Sequence, residues 1–102
     1  MVEVTDQDFE KEVIDSEVPV VVDMWAPWCG PCKAMGSVIN ELESKFVGIK
    51  FVKVNVDDNH QTPSKFNVRS IPTLMTFKNG ELVDVISGFN GKNSIENMLK
   101  SL

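Results

Sequence analysis

The stretch Trp28-Cys29-Gly30-Pro31-Cys32 decides how the rest of this chain is read, and it holds the only two cysteines of the protein. On its N-terminal side lies an apolar run, Pro19-Val20-Val21-Val22-Asp23-Met24-Trp25. On its C-terminal side Cys32, Met35, Ile39, Leu42 and Phe46 recur at steps of three, four, three and four, the spacing of one buried helix face. The motif is therefore the joint between a buried strand and an amphipathic helix. Pro31 suits the first helical turn, where its missing N–H is not needed. Cys29 then sits at the helix N-terminus and Cys32 inside the first turn.

That placement carries chemistry. The thiolate is the reactive form of cysteine, and a helix N-terminus favours negative charge through its unpaired N–H groups and the helix dipole. Cys29 is thus expected to be the attacking nucleophile. Two residues three apart in a first turn bring their Cα atoms to roughly 5–6 Å, within disulfide range. Cys29 and Cys32 can open and close a disulfide with little backbone movement.

The 102 residues, 42% hydrophobic, predict one domain over residues 1–102 with one core. Two cysteines are too few for a disulfide-stapled secreted scaffold, and a C-x-x-C in an α/β chain points to redox work. A net charge of -5 argues against a nucleic-acid binder, which needs a basic surface. The first residues carry Glu3, Asp6, Asp8, Glu10, Glu12, Asp15 and Glu17, the opposite of a basic, then apolar secretory leader. No run approaches the roughly 18 apolar residues of a membrane span. The expectation is a cytoplasmic protein without membrane contact, working as a monomer.

Outward from the motif, Val2–Val4 reads as a short strand. Thr5 caps a helix over about Asp6–Asp15, with Asp8 as its box partner and Val4 and Phe9 as a hydrophobic staple. Val18–Trp25 is apolar on both faces apart from Asp23, which predicts a central strand covered on both sides. The motif helix runs from about Pro31 to Phe46, with Gly48 as its stop. Ile49–Asp57 is a further strand, followed by a short helical segment within Asp58–Phe66 and a left-handed Asn67. Ile71-Pro72 precedes a strand at Thr73–Lys78, Asn79-Gly80 is a two-residue hairpin turn, and Leu82–Ser87 is its antiparallel partner. Gly88 to Gly91 lead into a last helix with Ile95, Met98, Leu99 and Leu102 on one face. The order β-α-β-α-β-α-β-β-α predicts an α/β fold, a mixed sheet with helices on both faces.

Several residues admit two readings. The cysteines could form a structural disulfide or half of a zinc site, but such a site wants four ligands and His60 is the only histidine. Redox function is favoured and no metal is expected. Trp28, beside Cys29, shields the sulfurs and contacts partners rather than merely packing. Trp25 supports the core. Asp23 is an ionisable group in an apolar strand, expensive unless used. Lys53 is either an exposed strand residue or the charge partner of Asp23. Asp57, Asp58 and His60 read as surface and capping residues. Phe89 either extends a docking patch or folds back as core.

Over essentially its full length the chain resembles the thioredoxin family. The resemblance rests on Asp23, Trp25, Trp28-Cys29-Gly30-Pro31-Cys32-Lys33, Lys53, Ile71-Pro72-Thr73, Phe77-Lys78-Asn79-Gly80 and Gly88. It implies the thioredoxin fold, a central five-stranded mixed β-sheet with four helices, and a cis Ile71-Pro72 bond facing the sulfurs. It implies a protein-disulfide reductase, in which a partner segment docks over Trp28, Ile71, Pro72 and Gly88. Cys29 attacks, Cys32 resolves, and Asp23 accepts the proton of Cys32. Gly30 and Pro31 set the redox balance, and the absence of a histidine between the cysteines favours reductase over oxidase. The resemblance further implies that no cofactor is bound. NADPH and FAD belong to a thioredoxin reductase partner, and the targets are disulfide-containing proteins. The chain departs from the family pattern at Gly36-Ser37, where a helix proline is usual at the second position. It departs again at Phe89, where a small residue is common, and at Met24, where an aromatic is usual.

Overall fold

The computed structural model describes residues 1–102. Five strands form one sheet: β1 (Val2–Glu3), β2 (Val20–Trp25), β3 (Lys50–Asn55), β4 (Thr73–Lys78) and β5 (Glu81–Ser87). Their order across the sheet is β1-β3-β2-β4-β5. β3 runs parallel to both β1 and β2, while β4 is antiparallel to β2 and β5. A π-helical segment (Glu10–Ile14) and three α-helices, α1 (Gly30–Glu43), α2 (Gln61–Lys65) and α3 (Lys92–Lys100), complete the fold. The mixed five-stranded sheet with four helical elements is the architecture the sequence predicts. No helix is long and apolar enough to cross a membrane.

Period-two alternation in the central strands divides the core in two. Val20, Val22 and Met24 of β2 join Val52, Val54, Met75 and Phe77 on one face, under Val4, Phe9 and Val13. The rings of Phe9, Phe66 and Phe77 close this core, with centroids 5.3 to 5.7 Å apart. On the other face Val21, Phe51 and Leu74 pack under Met35, Ile39 and Leu42 of α1 and Ile95, Met98 and Leu99 of α3. Each fully buried side chain of this kind contributes about 1.5–3 kcal/mol from removal of apolar surface. Asp23 shares the parity of Val21, so the strand delivers its carboxylate to the α1 face.

Tertiary hydrogen bonds shorten the first predicted helix. Helical structure covers Glu10–Ile14 rather than Asp6–Asp15. Asp6 is turned outward to cap α2: its carboxylate accepts from the N–H groups of Gln61 (3.1 Å) and Thr62 (2.9 Å) and from the Thr62 hydroxyl (2.6 Å). Its own N–H donates to Asn59 Oδ1. Only half of the predicted capping box forms: Asp8 accepts the Thr5 N–H, while the Thr5 hydroxyl donates to Asp8 instead of receiving from the backbone. β2 starts at Val20, and Val18 is exposed. α1 ends at Glu43, where Lys45 and Phe46 both donate to the Leu42 carbonyl and tighten the last turn. The Asn79-Gly80 turn has positive φ at both residues, 54° and 80°, as a two-residue hairpin with right-handed twist demands. Asn67 adopts the expected left-handed conformation at φ 56°.

Candidate active site

The β2–α1 joint holds the two sulfurs. Cys29 is the N-cap of α1, in an extended conformation at φ -91° and ψ 109°, and Pro31 lies in the first turn. The Cys29 sulfur accepts the Cys32 N–H at 3.2 Å, so it fills one of the donor sites that a helix start leaves open. Cys29 and Cys32 form a disulfide with their Cα atoms 5.2 Å apart. The same short first turn that ends the strand thus presents both sulfurs to one another. Both residues are largely covered, at 5% and 3% exposure. Burial therefore does not distinguish the cysteine at the helix N-terminus from the one inside the first turn. Ala26, Trp25, Val56 and Ile71 pack around the pair and account for the cover.

Ile71-Pro72 is cis, as the resemblance implies. Ile71 packs against the sulfur cluster, and the Pro72 carbonyl accepts the Gly88 N–H at 2.8 Å. Gly88 has φ 81°, a conformation that its lack of a Cβ permits. The fold therefore brings Ile71, Pro72 and Gly88 to the same end of the sheet as the disulfide. The backbone of Ile71 lies outside every strand and makes no hydrogen bond within the chain.

Trp28 is 71% exposed beside Cys29, yet its ring is fixed. Its indole N–H donates to the carboxylate of Asp57, which follows β3. Asp57 is a surface residue, as the sequence predicts; its link to Trp28 is not written locally, and the parallel β2–β3 pairing brings the two together. Phe89 is half-buried and packs against the α1–α3 core, which favours the core reading of this residue.

Behind the disulfide lies a cavity of about 240 Å³ lined by Asp23, Trp25, Cys32, Lys33, Ser37 and Lys53, among others. Asp23 is 2% exposed, and neither its Oδ1 nor Trp25 Nε1 has a hydrogen-bond partner in the protein. Burial pushes the Asp23 carboxyl up to about 7, while the charge of Lys53 opposes the rise. Lys53 stands opposite Asp23 in the β2–β3 register. Its ammonium makes none of the chain's ion pairs and lies 4.9 Å from the centre of the Trp25 ring. Lys53 is thus a long-range partner of Asp23 and a cation–π partner of Trp25.

At the departures from the family pattern, α1 runs unbroken through Gly36-Ser37. The Ser37 hydroxyl donates back to the Lys33 carbonyl at 3.2 Å, a bond that loosens and bends helices. Met24 is fully buried on the opposite face of the sheet from the cavity.

Comparison with known proteins agrees with this geometry. The thioredoxin family model matches residues 1–101. Thioredoxin 1 of a Nostoc species is 50% identical over 99 residues, covering 96% of this chain and 92% of that protein. The thioredoxin of Haemophilus influenzae is 48% identical over 97 residues, covering 94% and 91%. That of Rickettsia felis is 50% identical over 93 residues, covering 90% and 89%. A chain that matches the family model almost end to end, and that folds with a disulfide-forming cysteine pair at the start of α1, belongs to the thioredoxin family of protein-disulfide oxidoreductases.

Proposed function

We propose that residues 1–102 act as one thioredoxin domain that reduces disulfides in partner proteins, with Cys29 as nucleophile and Cys32 as resolving thiol. The observation that carries this assignment of roles is the Cys29 sulfur at the N-cap of α1, accepting the Cys32 N–H. In the reduced protein that N–H and the helix dipole favour the thiolate at Cys29. An extended partner segment docks over Trp28, Pro72 and Gly88 and pairs with the free backbone of Ile71. The Cys29 thiolate attacks one sulfur of the partner disulfide. A Cys29–partner disulfide forms, the partner's own S–S bond breaks, and its second sulfur leaves as a thiolate. Cys32 then gives its proton to Asp23, directly or through one water, and attacks the Cys29 sulfur. The Cys29–Cys32 bond forms and the partner departs with both sulfurs reduced. Two electrons have moved from this chain to the partner.

Trp25 and Lys53 support the proton acceptor, and Gly30 and Pro31 tune the balance between dithiol and disulfide. About 30 mV of potential corresponds to about 1.4 kcal/mol, so small changes in thiolate stabilisation are felt. Regeneration falls to an NADPH-dependent flavin reductase. The chain itself works in the cytoplasm as a monomer, without bound cofactor.

The test is turnover of insulin disulfides with NADPH and a thioredoxin reductase. Sustained NADPH oxidation that Cys29→Ser abolishes supports the reading. A reduction potential well above the cytosolic glutathione range would select an oxidase or isomerase instead. Partner binding that survives loss of both cysteines, without turnover, would select a non-catalytic subunit.

A further inference from the structure

Beside the disulfide runs a groove of about 610 Å³ whose lining includes Trp28, Val56, His60, Pro63, Arg69 and Ile71. Its charge does not match that of the molecule. The chain has 15 acidic side chains against 10 basic ones, yet no carboxylate lines this groove. The only arginine and the only histidine of the sequence both do. Asp57, which follows β3 beside Trp28, has its carboxylate engaged by the Trp28 indole N–H. Arg69 is exposed and joins none of the chain's three ion pairs.

The groove is continuous with the site already described, because Trp28 and Ile71 belong to both. A segment that pairs with the Ile71 backbone therefore continues past Arg69, two residues earlier in the chain. Ser70 to Pro72 bend rather than extend, but Arg69 and Ile71 both line the groove, and an extended substrate advances about 3.3 Å per residue along it. A substrate side chain about two to four residues from the attacked cysteine thus comes within reach of the guanidinium. Arginine presents a planar fork of donors that matches a carboxylate. The apolar part of the lining, Val56, Pro63 and Ile71, suits the aliphatic stem of such a residue or its neighbour.

We propose that this groove receives an acidic, extended segment of the disulfide-bearing substrate, with an Asp or Glu side chain seated on Arg69, and that Arg69 thereby sets substrate preference. The proposal rests on the reductase reading above and adds the class of sequence that flanks the preferred disulfide. A net charge of -5 would otherwise disfavour acidic partners; the groove is the place where that repulsion is reversed.

The test uses the full chain and a series of disulfide-linked peptides with Glu, Gln or Lys placed two, three or four residues from the attacked cysteine. At low salt the expected order of kcat/KM at the best position is Glu, then Gln, then Lys. The Glu-to-Lys ratio should be about fivefold, carried by KM and shrinking as salt is added. Arg69→Gln should bring that ratio close to one, and Arg69→Lys should restore most of it. A wild-type ratio of one at all three positions, or a ratio untouched by Arg69→Gln, overturns the proposal. Failure to reduce any peptide overturns the reductase reading, and this inference with it.

Discussion

The indole nitrogen of Trp28 donates to both carboxylate oxygens of Asp57, at 3.2 Å to Oδ1 and 3.0 Å to Oδ2. This bond holds an exposed ring in place next to the reactive sulfur. Without it the ring would sample several rotamers, and ordering it would count against each docking event. Asp57→Ala should lower the steady-state fluorescence anisotropy attributable to Trp28 and reduce kcat/KM for protein disulfides about threefold. The stability change should stay within about 1 kcal/mol, because the pair is exposed to solvent. Asp57→Asn keeps an acceptor and should recover most of the activity. Unaltered anisotropy in Asp57→Ala would show that packing alone fixes the ring.

The two cysteines should separate by role although both are covered. Cys32→Ser leaves the nucleophile and removes the resolving thiol, so mixed disulfides with partners should accumulate on Cys29. Cys29→Ser should trap almost none. Non-reducing gels after incubation with a disulfide substrate distinguish the two, and equal trapping by both variants would refute the assignment.

Asp23 links catalysis to stability with a definite sign. Burial raises its carboxyl from 3.8 to about 7 in the folded chain, with Lys53 pulling the other way. Well below pH 3.8 the group is protonated in both states and this penalty is absent. Between 3.8 and about 7 the unfolded chain loses the proton while the folded chain keeps it, so stability falls as pH rises. Above about 7 the penalty levels off, near 4 kcal/mol at about 1.4 kcal/mol per pH unit. Urea denaturation across this range should show Asp23→Asn more stable than the parent at pH 8 and equal to it near pH 4. The same variant should resolve mixed disulfides roughly ten- to a hundredfold more slowly. A variant that is less stable at neutral pH and reduces substrates at the parent rate would make Asp23 a structural anchor.

Phe89 is half-buried and packs against the α1–α3 core. Phe89→Ala should cost about 2–3 kcal/mol, less than a fully buried phenylalanine because part of the ring stays in water. Partner affinity should not change. Thermal denaturation paired with peptide titration checks both, and weakened affinity at full stability would return Phe89 to the docking surface.

The sequence by itself determined the elements around the cysteines. Helical spacing from Cys32 to Leu42, the apolar run before Trp25 and the Asn79-Gly80 turn are local signals, and each element forms there, with the strand two residues and the helix three residues shorter at their outer ends than expected. It also identified Asp23 as out of place, because one carboxylate in an apolar strand is visible without a structure. What only the tertiary structure decided were relationships across the sheet and between layers. The Asp6 carboxylate looked like part of a helix start, but 2.6–3.1 Å bonds to Gln61 and Thr62 drew it away and shortened that helix. Asp57 became the anchor of Trp28, and Arg69 and His60 became walls of one groove. Phe89 turned inward. The physical reason is common to all four. Backbone periodicity is set by neighbours a few residues away, and so is written locally. A hydrogen bond or a packing contact between residues far apart in the chain exists only once β2, β3 and the helices have fixed the distance between them.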